Sequence, residues 1–125
     1  MSAPTQAPQD WRALPAGDAL DRLVAARVFG WVCTGAAADV WTSPDGLSHF
    51  GVSPYSTSIN AAWQVVERLE TQGLRITYRT SGLNARRVEV VGVHPTRRNE
   101  WLVAEEADTA PLAICRAALT AAEVA

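Results

Sequence analysis

At 125 residues, 48% of them apolar, and with a formal net charge of −2, the chain has the size and composition of one globular domain around a single core. The slight acidic excess disfavours wholesale nucleic-acid binding, leaving room only for a local basic patch. No apolar run approaches the ~20 residues of a membrane span. The first residues also lack the basic-then-apolar pattern of a secretory signal, so a cytoplasmic protein is expected.

All eleven basic residues are arginine. Arginine forks suit phosphate, but the positions are scattered, and the many alanines point to the plainer cause of a GC-rich gene. Cys33 and Cys115 match no metal or redox spacing. Cys115 shares a helical face with Leu112 and Leu119, as a reduced core thiol does.

Residues 1–17, with Pro4, Pro8 and Pro15 among small residues, read as a flexible N-terminal arm whose end is anchored by Trp11 and Leu14. Residues 18–125 then form the single domain. Helical spacing of Leu20, Leu23, Val24 and Val28 predicts a first helix over 18–29, capped by Asp18 and stopped by Gly30, with Asp21 suited to the helix dipole. Residues 32–54 read as a long connector with one short hairpin at most, around Pro44-Asp45-Gly46.

The best-signed helix follows. Ser56, Thr57 and Ser58 offer capping hydroxyls, Ile59, Ala62, Trp63, Val66 and Leu69 form one apolar face, and Gly73 suits the left-handed position after the last turn. Trp63 and Trp101 are expected in the core. Three strands are predicted at 74–80, 87–93 and 101–104, joined closely enough to form an antiparallel meander. The last helix begins after residue 107, capped by Asp108 or Thr109, with Pro111 in its first turn and Leu112, Cys115, Ala118, Leu119 and Ala122 facing inward. Helices must cover the apolar strand faces. The expected class is therefore α+β, a layered arrangement on a small antiparallel sheet of three to five strands.

Three segments together resemble the phage ABA-sandwich domain family: LDRLVAARVFGW at 20–31, YSTSINAAWQVVERL at 55–69 and ADTAPLAICRAAL at 107–119. Each falls on a predicted helix, in the family's order. The resemblance implies a phage or prophage origin, hence the host cytoplasm, and an α/β/α sandwich. It implies no catalytic residues, because the shared motifs are caps and core positions. More loosely, the chain is similar in size and element types to small phage proteins that sequester nucleotide immune signals, such as the Thoeris anti-defence proteins. Those are oligomers that bind cyclic ADP-ribose isomers, and some members bind cyclic oligonucleotides.

An anionic nucleotide-like ligand needs cationic donors for phosphate and a flat apolar surface for the base. Arg86 and Arg87 near Asn84 lie at one end of a strand, and Arg97 and Arg98 lie towards the other end, so a site using both pairs needs a subunit interface. Arg116 is the one strong charge in the last helix before Glu123, and Tyr55 precedes a helix N-terminus that suits an anion. The ordinary roles of these residues are solvated charges for the arginines and a helix-entry staple for Tyr55. His49 and His94 have no partner at ligand or triad spacing, and the acids Glu105, Glu106 and Asp108 suit a solvated helix start. No catalytic or metal-binding residue and no cofactor is assigned.

The leading expectation is a non-enzymatic homo-oligomer that sequesters a cyclic nucleotide or cyclic ADP-ribose type signal at subunit interfaces. A protein–protein interaction module and a nucleotide hydrolase are the alternatives. A monomer with a large exposed apolar patch and no concave basic site would favour the interaction module.

Overall fold

A computed structural model of the chain describes residues 11–35, 37–81, 85–93, 96 and 98–124. Asn84, His94 and Arg97 lie outside the described residues, as do residues 1–10. A short 3-10 turn (Trp11–Ala13) leads to α1 (Asp18–Arg27). A first sheet of β1 (Val32–Gly35), β2 (Val40–Thr42) and β3 (Ser48–Phe50) precedes α2 (Ile59–Thr71). The meander β4 (Arg75–Ser81), β5 (Ala85–Val93) and β6 (Glu100–Ala107) follows, and α3 (Ala110–Val124) closes the order.

The meander is antiparallel and in unbroken register, with Ile76 opposite Val90, Tyr78 opposite Val88, and Val90 opposite Val103. Alternation puts Val88 and Val90 on one face, where both are buried, and Arg87 and Glu89 on the other. Helices α2 and α3 pack on the first face, and α1 packs against α3. Helix α3 is small-residue-rich and buried over most of its circumference, from Ala113 to Cys115 and from Ala117 to Ala121. Small side chains let the neighbouring elements approach it closely, so it forms the centre of the core.

Four expectations are corrected. The connector 32–54 holds the expected hairpin around Pro44-Asp45-Gly46, as β2 and β3, but also a further strand, so that three short strands pair in order β1-β2-β3. Their pattern is illegible because only Trp41 of the ten strand residues is buried. Helix α2 starts at Ile59 under a single cap, Ser58, whose hydroxyl accepts from the Ala61 N–H at 3.4 Å. The start of α1 has no side-chain cap, because Gly17 occupies the cap position. Trp63 is not core but 55% exposed. The side of α2 that is buried is Ala61, Ala62, Val65, Val66 and Leu69, rotated from the expected stripe so that the small residues go under and the indole stays at the rim.

Ser56 has a different role from capping. Its N–H donates to Asp21 Oδ1 at 2.7 Å and its hydroxyl lies 2.6 Å from the same oxygen, while the Gly17 N–H donates to Ser56 Oγ at 2.8 Å. Asp21 and Ser56 are both buried, so this knot ties α1 to the entry of α2. Helix α2 ends as Gly73 predicts. With φ of 83°, Gly73 donates to the Glu70 carbonyl and Leu74 to the Leu69 carbonyl, the paired bonds of a Schellman turn.

At the N-terminal side, Trp11 is buried and its indole N–H donates to Glu123 Oε1 at 2.9 Å. Residues 11–17 are thereby docked on the domain. Trp101 packs against the core from β6 and lies over Gly92, where an added Cβ would stand 2.4 Å from the indole.

Candidate functional site

Helix α2 presents Ile59, Trp63, Val66 and Glu70, spaced four, three and four apart, along a single stripe. The stripe runs beside β4, which contributes Ile76 and Tyr78 from its helix-side face. Between them lies a groove of about 440 Å³, floored by Val88 and ended by Ala110 and Ile114 of α3. Ile59, Trp63 and Tyr78 remain 51%, 55% and 46% exposed, so the groove opens to solvent along its length. Trp63 stands at the groove wall, 55% exposed, while Ala62 and Val65 of the same helix are fully buried.

The groove is mostly apolar, with two aromatic side chains and one carboxylate, Glu70. That is the usual make-up of a small-molecule site, a hydrophobic surface with a few orienting polar groups. Ile59 and Ala110 are the first residues of α2 and α3, so two helix N-termini, each with partial positive charge, border the groove. Thr109 caps α3 by accepting from the Leu112 N–H at 3.4 Å.

The residues expected to bind a ligand are dispersed. Arg86 and Arg87 are adjacent in β5 and so point to opposite faces. Arg86 is half-buried on the helix side, between Thr80 and Ala107 in the sheet, and forms no salt bridge with a described residue. Arg87 lies on the open face within an ion-pair chain: it meets Glu89 and Glu106, each at 3.4 Å, and Arg79 reaches Glu89 at 3.5 Å. Arg98 is exposed between β5 and β6, with φ of 58°. Arg116 donates to the Leu14 carbonyl at 3.2 Å and to the Glu106 carbonyl at 3.5 Å, tying α3 to the docked N-terminal turn. The 300 Å³ recess beside Arg116 also carries Glu106 and Asp108. Acids there offset the cation as a phosphate site.

Tyr55 is buried and stacks on Phe29, ring centroids 5.0 Å apart. Burial, chiefly, raises its pKa, with smaller upward contributions from Cys115 and Asp21 and an opposing one from a Ser53 hydrogen bond. Its edge reaches a notch of about 160 Å³ shared with Trp31, His49 and Phe50. Among the described residues, no group of three or more His, Cys, Asp or Glu could hold a metal ion. Nor is any described helix long and apolar enough to cross a membrane.

Sequence reasoning missed the groove because it placed Trp63 inside. One signal was available: α2 carries more apolar residues, from Ile59 to Leu69, than one helix–sheet contact can bury. The model of the phage ABA sandwich domain family matches residues 22–119. No curated protein and no solved structure matches the chain.

Proposed function

The chain belongs to the phage ABA sandwich domain family, and on that premise we propose that it is a non-enzymatic binding protein that sequesters a nucleotide-like ligand, of the cyclic nucleotide or cyclic ADP-ribose class used as signals in host defence. One observation carries the reading: the 440 Å³ groove walled by Trp63 and Tyr78. A flat base stacks between such rings, and Glu70 accepts hydrogen bonds from the amino edge of a base. Phosphate sits at the groove end where α2 begins, held by the first amides of that helix; at the start of α3, Pro111 has no N–H and Thr109 takes that of Leu112. Holding a ligand requires only this shape and these donors.

The test is a thermal melt of the protein against cyclic dinucleotides, cyclic trinucleotides and ADP-ribose isomers. A ligand at a hundred times its dissociation constant adds roughly 2.7 kcal/mol. The shift should vanish in Trp63→Ala, and mass spectrometry should recover the ligand intact. A chemically altered ligand replaces sequestration with turnover, and an unmoved melt across the panel removes the reading.

A second reading, a module that docks on another protein, is supported by the β1–β3 sheet, where Val32, Leu47 and Phe50 stand 61%, 60% and 87% exposed. Capture of a defined partner that Phe50→Ser abolishes and Trp63→Ala leaves intact would establish it.

A further inference from the structure

We propose that a second copy of this chain pairs antiparallel along the outer edge of β4, joining two meanders into one six-stranded sheet and closing the open side of the groove between α2 and β4. This deepens the ligand reading, since the groove is incomplete without the second copy, yet it rests on separate observations.

The sheet order β4-β5-β6 leaves β4 at an edge, and no described strand pairs with its outer side. Exposed edges are normally guarded by proline, a bulge or an outward charge. Strand β4 is seven residues, RITYRTS, with neither proline nor glycine, in unbroken register with β5. Its two arginines do not guard the edge. Arg75 reaches back across the sheet to Glu100 on β6 at 3.3 Å, and Arg79 to Glu89 on β5 at 3.5 Å.

The occupant is a second copy because the apolar, helix-side face along this edge, with Ile59, Trp63 and Tyr78 exposed, matches itself across a two-fold axis. Two-fold antiparallel pairing about Tyr78 sets Tyr78 opposite Tyr78, Thr77 opposite Arg79 and Arg75 opposite Ser81. No like charges stand directly opposite; on the diagonals each Arg79 has the other copy's Arg79 and Arg75. Each Arg79 comes beside the other copy's Thr77, and the ion pairs of Arg79 with Glu89 and of Arg75 with Glu100 hold the diagonal charges back over their own sheets. A two-fold axis normal to the sheet keeps both α2 helices on one side. The stripes that carry Ile59 and Trp63 then face each other antiparallel over the seam, and the two grooves become one chamber.

The half-exposed Trp63 and Tyr78 offer roughly 200 Å² per copy, given the 150–250 Å² an aromatic side chain buries. The edge is about 23 Å long at the usual strand rise. A face of that length, one helix-on-sheet layer deep, is on the scale of the ~800 Å² per partner of a specific interface.

Sedimentation equilibrium of the full chain at micromolar concentration should give twice the mass of one chain. Trp63→Glu and Tyr78→Lys, at half-exposed positions, should stay folded by circular dichroism and weaken association by roughly 30-fold or more, as loss of a central aromatic does. Phe50→Glu, on the other sheet, should leave the mass unchanged. Hydrogen exchange should show β4 amides whose protection rises with protein concentration. A single-chain mass throughout overturns the proposal, as does a dimer that Phe50→Glu dissociates and Trp63→Glu does not. Concentration-independent protection of β4 in a monomer also overturns it, because the chain's own residues then cover the edge. A dimer whose melt no nucleotide shifts upholds this pairing and removes the ligand reading; a monomer whose melt shifts does the reverse.

Discussion

The two sheets of this protein have three strands each and opposite surroundings. In β4–β6, helices α2 and α3 cover one face, and Val88 and Val90 are sealed beneath them. In β1–β3, Trp41 alone is buried, and Phe50 is 87% exposed. The small sheet is held by polar contacts instead. Thr34 and Thr42 hydroxyls meet at 3.0 Å across β1 and β2, the Trp41 indole donates to Asp39 at 2.8 Å, and Asp39 meets Arg22 of α1 at 3.2 Å. Exposed pairs of this kind contribute little each. The meander is therefore the stability of the domain, while the small sheet is a surface it carries.

Substitutions test that division, beginning where the expected loss is greatest. Gly92→Val forces a side chain into Trp101 and Leu74, which would lie 2.4 Å and 2.7 Å from the first added atom. Overpacking at such a contact should cost about 3 kcal/mol in a urea melt. Ser56→Ala removes the hydroxyl from the buried Asp21 knot and leaves the carboxylate short of a partner. A loss of about 2 kcal/mol is expected, without change in the unfolding slope; an unchanged midpoint would show that the knot does not hold α1.

Alkali attacks the covered region by another route. Burial raises the pKa of Cys115 and Tyr55. Above about pH 8.5 an unfolded thiol releases its proton, and above about pH 10 an unfolded tyrosine does so. The folded chain keeps both, so the unfolded state binds fewer protons and stability falls as pH rises. Midpoints measured from pH 7 to 11 should decline steadily, and Cys115→Ala should flatten the onset.

Gly73→Ala places a side chain at φ of 83° and should cost about 1 kcal/mol. Smallest of all, Thr42→Val in the small sheet should move the midpoint by less than about 0.5 kcal/mol. A loss near that of Gly92→Val would erase the distinction between the two sheets.

What the sequence makes legible follows the same line. Ser58, Thr109 and Gly73 are readable because a cap or a turn depends on residues within four positions. The meander is readable because one covered face imposes alternation. The Asp21–Ser56 knot spans 35 residues, and nothing near Asp21 distinguishes a buried acceptor from a first-turn acid. The exposure of Trp63 depends on how α2 lies against β4, a relation between elements that periodicity does not contain. The setting of the arginines is illegible for a related reason. Arg87 is two residues from one partner, Glu89, but 19 from the other, Glu106, so its charge is engaged in a way that a loop-end doublet does not reveal.

Helix α3 has a consequence for how the chain is made. It is the last element in order, yet it meets α1, α2, β5 and β6 and holds the Trp11 turn through Glu123. During synthesis the meander has no α3 beneath it until residues 110–124 have left the ribosome. Until then Val88 and Val90 must be shielded by chaperones or by transient collapse. Folding of the meander waits on α3, which follows it in the chain, and the rate at which that helix docks sets the interval during which the nascent chain is exposed to proteolysis and aggregation.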